Sequence, residues 1–132
     1  MVEENSWNTS GSLEGIGSGK IESLKETIEE IKVLVSERIR LSDSFIKEAE
    51  KMKGTINTFL LENAPKGQDD SEFTRERAEL RKKQIDIAEL QLNEKVACWK
   101  DIALLKKELR EQEKELNEKE GRLEMIENIL EE

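Results

Sequence analysis

The feature that most restricts this chain is a seven-residue apolar repeat that keeps one register from Ile21 to Phe59. With Ile21 at heptad position a, the a positions are Ile21, Ile28, Val35, Ser42, Ala49 and Ile56. The d positions are then Leu24, Ile31, Arg38, Phe45, Met52 and Phe59. Apolar residues at a and d bring one narrow seam of a helix onto another helix, so the repeat predicts a coiled-coil helix over residues 19–63. The register fails only at Arg38 and Ser42, where Ile39 and Leu41 are expected to carry the stripe sideways. Polar residues in a seam cost stability but set partner and alignment.

Residues 64–70, Ala-Pro-Lys-Gly-Gln-Asp-Asp, predict a turn. Proline cannot continue a helical hydrogen-bond ladder, and glycine turns readily. Asp69 followed by Glu72 resembles an acidic capping box that opens a second helix over residues 71–131. So short a connection folds the chain back as an antiparallel hairpin. The first half of the second helix places Ala78, Ile85, Leu92 and Trp99 seven apart, with Ala88 and Ile102 at the intervening heptad position. From Ile102 the stripe runs Leu105, Leu109, Leu116, Leu123, Ile126 and Leu130, offset by three residues from the first half, which reads as a stammer. Gln112 and Lys119 weaken this second half, and Gly121 softens it.

Residues 1–18 are rich in Ser, Gly, Asn and Glu around isolated Trp7, Leu13 and Ile16. Without a period or a continuous apolar face they predict a disordered tail. The expected fold is therefore all-α, two long helices forming an antiparallel coiled-coil hairpin behind that tail. At about 1.5 Å per residue the second helix outruns the first by about 15 residues. Leu116 lies near this overhang, and Leu123, Ile126, Ile129 and Leu130 lie in it, expected without cover from the first helix. Exposed apolar surface of that kind marks a partner-binding site.

Composition narrows the function classes. Charged residues make up 40% of the chain and aromatics 4%, the signature of long helices rather than a closed core. A net charge of -9 argues against direct nucleic-acid binding. The locally basic run of Arg75, Arg77, Arg81, Lys82 and Lys83 is interleaved with Glu76 and Glu79, as on a solvated helix face. No apolar run is long enough to span a membrane, and the acidic start Met-Val-Glu-Glu does not resemble a secretory signal. A nuclear or cytoplasmic, non-secreted protein is the expectation.

The chain has no His and a single cysteine, Cys98, so neither a His-activated nucleophile nor a cysteine-cluster metal site is expected. Cys98, between Ala97 and Trp99, reads as a small packing residue. Gln68-Asp69-Asp70 lacks the further ligands of a calcium loop. Gly15-Ile-Gly-Ser-Gly-Lys20 fails as a phosphate loop, with Glu14 at its first glycine and Ile21 in place of Ser or Thr. Asn8-Thr-Ser10 is a glycosylation sequon in form only. The reading is non-catalytic, with no catalytic or metal residues and no cofactor. Its expected partners are other helical proteins, as a hetero-oligomer or homo-oligomer. Two functions fit: an adaptor subunit of a multiprotein complex, or a self-assembling structural coiled coil of the cytoskeleton, centrosome or kinetochore.

Two segments carry a family resemblance. Phe45-Ile-Lys-Glu-Ala-Glu-Lys-Met-Lys-Gly-Thr-Ile-Asn-Thr-Phe-Leu-Leu61 resembles the first helix of the Mediator complex subunit 28 family. Lys100-Asp-Ile-Ala-Leu-Leu-Lys-Lys-Glu-Leu-Arg110, with Glu115-Leu116 and Arg122-Leu-Glu-Met-Ile-Glu127, resembles its later helix. The chain departs from that family in residues 66–95, which look like an insertion, and in lacking a Trp near Met125-Ile126. The resemblance implies a nuclear, helix-packing subunit that regulates transcription by bridging regulators to RNA polymerase II.

Overall fold

The computed structural model describes residues 13–63 and 71–131, with side chains from Gly19 and from Thr74 onward in the two stretches. Both stretches are helical: α1 spans Leu13–Glu62 and α2 spans Ser71–Glu131. No strand occurs among the described residues. The expected turn at 64–70, the capping box within it and the first part of the expected tail lie outside the described residues.

α1 starts at Leu13 rather than Gly19, so residues 13–18 are helical and not tail. Extending an existing helix adds one hydrogen bond per residue fixed, whereas starting one is costly. A period-free stretch without proline therefore joins a helix that its neighbours have nucleated. At the other end the helix stops one residue before the expected Asn63, which is in a turn. Asn63 donates from its backbone N–H to the Phe59 carbonyl at 3.0 Å and from Nδ2 to the same oxygen at 2.9 Å. The Phe59 carbonyl thus accepts from both groups of Asn63 where the helix ends.

The helices contribute to two compact units, one holding residues up to Ser36 and from Ala103, the other Glu37–Ile102. In the first unit the a and d residues Ile21, Leu24, Ile28 and Ile31 of α1 are buried. Val35 is half-buried there, as are Leu105, Leu109, Gln112, Leu116, Lys119 and Leu123 of α2. Lys25 lies 3.9 Å from Glu120, and Lys25, Ile28 and Lys32 share a groove with Glu113, Leu116 and Asn117. The segments are therefore antiparallel.

The second unit is built differently. Its inward residues on α1 are Arg38, Ser42, Ile46, Ala49, Lys53, Ile56 and Leu60. On α2 they are Leu80, Gln84, Ile87, Gln91, Glu94, Cys98 and Ile102. Each series contains two successive four-residue steps, 38–42–46 on α1 and 94–98–102 on α2. Such a doubled step is a stutter, which moves the inward line to the next residue. The two stutters face each other where Arg38 reaches Glu94 and Asp101. This corrects the expected stammer and the expected detour through Ile39 and Leu41, which are exposed. Arg38 and Ser42 themselves turn inward because their polar groups find partners there.

Among the glycines, Gly54 and Gly121 lie within helices with nothing within 4 Å of an added Cβ. Gly54→Ala and Gly121→Ala are each expected to raise stability by about 0.5–1 kcal/mol, read as a higher denaturation midpoint.

Candidate functional site

Polar groups align the second unit. The Arg38 guanidinium donates from Nη1 to Glu94 Oε2 at 2.6 Å and from Nε to Asp101 Oδ2 at 2.8 Å. Both Arg38 and Glu94 side chains are about one-fifth exposed. Hydrogen bonding to Arg38 lowers the Glu94 carboxyl below its ordinary range, with a smaller contribution from Ser42. Gln91 Nε2 donates to the Ile46 carbonyl and to Glu50 Oε1, both at 3.2 Å. Gln84 Nε2 donates to the Lys53 carbonyl at 3.1 Å. These two glutamines stand seven residues apart and reach carbonyls seven residues apart in the opposite direction. A one-turn slip would unmake both contacts, so they set the antiparallel register. Small Ser42 and Ala49 on the α1 face, both buried, leave room for that approach.

This polar seam is expected to weaken in acid. Glu94 is lowered chiefly by Arg38, and Glu50 by Lys53 and then Gln91. A carboxyl lowered in the folded state stabilises above its unfolded value near 4.3, and that contribution is lost as pH falls through the lower folded value. Thermal stability is therefore expected to fall below about pH 4. Glu94→Gln is expected to flatten that acid limb, measured by melting at pH 3 to 6.

With the polar groups inside, the second unit turns large apolar side chains out. Phe45, Met52 and Phe59, expected in the seam at d, are 43%, 56% and 47% exposed. Ile85, Leu92 and Trp99, expected in the seam of α2, are 65%, 60% and 71% exposed. Each set keeps seven-residue spacing, so each is a stripe along one helix. The stripes lie on opposite sides of the seam. Phe59 shares a groove of about 390 Å³ with Glu76, Glu79, Leu80 and Lys83. Lys83 and Ile85 flank inward Gln84 on opposite sides, since neighbours on a helix are about 100° apart. The sequence carries a signal for this arrangement: Phe45-Ile46 and Phe59-Leu60 are adjacent apolar pairs, and both members cannot face one seam.

The expected C-terminal site divides. Leu116 and Leu123 are half-buried in the seam of the first unit. The Lys25–Glu120 pairing places α1 alongside α2 as far as Glu120. Ile126, Ile129 and Leu130 remain 40%, 65% and 70% exposed, with Met125 at 63%. The basic run Arg75, Arg77, Arg81, Lys82 and Lys83 is solvent-exposed, and Cys98 is buried as a free thiol.

Among the described residues no group of three or more His, Cys, Asp or Glu is placed to hold a metal ion. No described helix is long and apolar enough to cross a membrane. No known protein family, curated protein or solved structure matches the chain.

Proposed function

We propose that this chain is a non-catalytic helical subunit of a multiprotein complex and binds partner helices through the outward stripe of α1. The observation that carries the reading is Phe45, Met52 and Phe59, three large apolar side chains at heptad spacing and 43% to 56% exposed. Solvated helix faces are normally polar, and a heptad stripe is the shape another helix fits. Ile126, Ile129 and Leu130 offer a second apolar surface at the end of α2. The absence of histidine from the sequence and the burial of Cys98 support a binding role over catalysis.

Within this reading we assign the chain to Mediator-type transcription complexes in the nucleus, on the strength of the segments 45–61 and 100–127. The first of these segments contains the whole α1 stripe. The test is affinity purification of the full chain from native cells beside a Phe45→Ser, Met52→Ser, Phe59→Ser variant. Stoichiometric helical partners should be lost tens-fold or more from the variant while its helical circular dichroism persists. Capture of Mediator subunits supports the assignment, and capture of centrosomal or kinetochore proteins replaces it with the structural reading. A variant that keeps every partner overturns the role of the α1 stripe.

A further inference from the structure

The groove beside the α1 stripe carries a charge pattern that selects among helices. We propose that it takes a basic amphipathic helix of a partner protein, laid along Phe45, Met52 and Phe59 with its Lys and Arg side chains against the carboxylates of the groove rim. The inference rests on the reading of the α1 stripe as a helix-binding face and names the chemistry of its partner.

Both helices build this groove. Phe59 shares it with Thr55 of α1 and with Glu76, Glu79, Leu80 and Lys83 of α2. Phe59 and Lys83 each stand one residue before an inward residue, Leu60 and Gln84. The antiparallel pair brings these two positions to the same side of the seam. Seven-residue steps carry that side along the unit, to Met52 and Phe45 on α1 and to Leu90 and Ala97 on α2. All four are exposed, Leu90 at 55%. An apolar floor thus runs about 21 Å from Phe59 to Phe45, long enough for the apolar stripe of a third helix.

The rim of this floor is acidic. Glu76 and Glu79 line the groove, and seven-residue steps from Thr55 and Glu79 put Glu48, Glu62 and Asp86 along its two edges. All of these carboxylates are exposed. Against them stand Lys83 in the groove and Lys100 on the α2 edge toward Phe45. Lys51 Nζ lies 3.5 Å from Glu48 Oε1 and offsets that one carboxylate. At the Phe59 end Glu62, Glu76 and Glu79 outnumber Lys83. Charges that flank an apolar seam choose its partner, because like charges repel across it and opposite charges attract. An acidic helix meets repulsion on this rim, and this chain, with 31 acidic and 22 basic residues, is itself acidic. A basic helix meets its complement, most strongly beside Phe59.

Fluorescence anisotropy with the full chain tests the proposal, using a labelled three-heptad peptide with Leu at a and d and Lys at e and g, beside its twin with Glu at e and g. The Lys peptide should bind about tenfold or more tighter than the Glu peptide. Glu76→Lys, Glu79→Lys should weaken the Lys peptide about tenfold and strengthen the Glu peptide. Glu111→Lys, Glu118→Lys makes an equal charge change on exposed residues of the first unit and should leave the preference nearly unchanged. Circular dichroism should show parental helicity in both variants, and should the groove variant lose helicity, Glu62→Lys, Asp86→Lys decides. A Lys peptide that fails to bind, equal binding of the two peptides, or equal effects of the two charge reversals would each overturn the proposal. So would a dimer of the chain alone in sedimentation equilibrium that Met52→Glu dissolves, which gives the groove to a second copy. If the Phe45→Ser, Met52→Ser, Phe59→Ser variant binds the Lys peptide like the parent, the reading of the α1 stripe falls as well. If binding needs the stripe and ignores the rim charges, that reading stands and the basic partner is overturned.

Discussion

An Ile28→Ser, Ile31→Ser variant is expected to lose most of its cooperative folding. Both side chains are among the most buried in the first unit, at 6% and 3% exposure. Truncating a buried aliphatic side chain costs about 2–5 kcal/mol, and introducing a hydroxyl without a partner adds to that. Two such losses approach the whole stability of a small domain, about 5–15 kcal/mol. Helical circular dichroism should fall sharply and the melting transition should shift far down or disappear. A Leu123→Ser, Ile126→Ser variant is the comparison, since Leu123 is half-buried and Ile126 is 40% exposed. It should melt closer to the parent chain. An Ile28, Ile31 variant that melts like the parent would remove these residues from the core.

The second large effect is expected at Arg38. Arg38→Leu leaves the Glu94 carboxylate facing a leucine in place of a guanidinium, with the Glu94 side chain one-fifth exposed. Removing one partner of a sheltered ion pair costs more than the pair contributes, because the remaining charge stays poorly solvated. The melting midpoint should fall by less than in the Ile28, Ile31 variant but by more than the gain from Gly54→Ala. Adding Glu94→Leu to Arg38→Leu should recover much of the loss, since apolar residues of similar size replace such pairs well. If the single change is silent, water already screens the pair and it does not align the unit. Recovery in the double variant, with register unchanged by cross-linking, would show that the glutamines Gln84 and Gln91 suffice to hold alignment.

Much of the first unit was legible from spacing. Ile21, Leu24, Ile28 and Ile31 are large, apolar and spaced by threes and fours, so one helix face holds them all and water excludes that face. The second unit was not legible in this way, because two stripes compete along the same helices. On α1 the d residues Phe45, Met52 and Phe59 compete with Ile46, Lys53 and Leu60, each one position later. Apolar content favours the first set, and hydrophobic counting chose it. The contacts favour the second: Arg38 meets Glu94 and Asp101, Gln91 meets Ile46 and Glu50, and Gln84 meets Lys53. Those partners lie 31 to 63 residues away in the chain. A periodicity count within one helix does not weigh them.

The exposed apolar surface differs from the expected one for a related reason. Helix lengths taken from sequence left Leu123 beyond the reach of α1, but it is half-buried in the seam, as is Leu116 beside the expected overhang. What the sequence by itself determined is helix and the inward face of α1 in the first unit, because local propensity and a three-four apolar spacing act within one segment. What only the tertiary structure decided is which of two apolar stripes faces in. That choice turns on hydrogen bonds and ion pairs between residues far apart in sequence, and it leaves Phe45, Met52, Phe59, Ile85, Leu92 and Trp99 exposed.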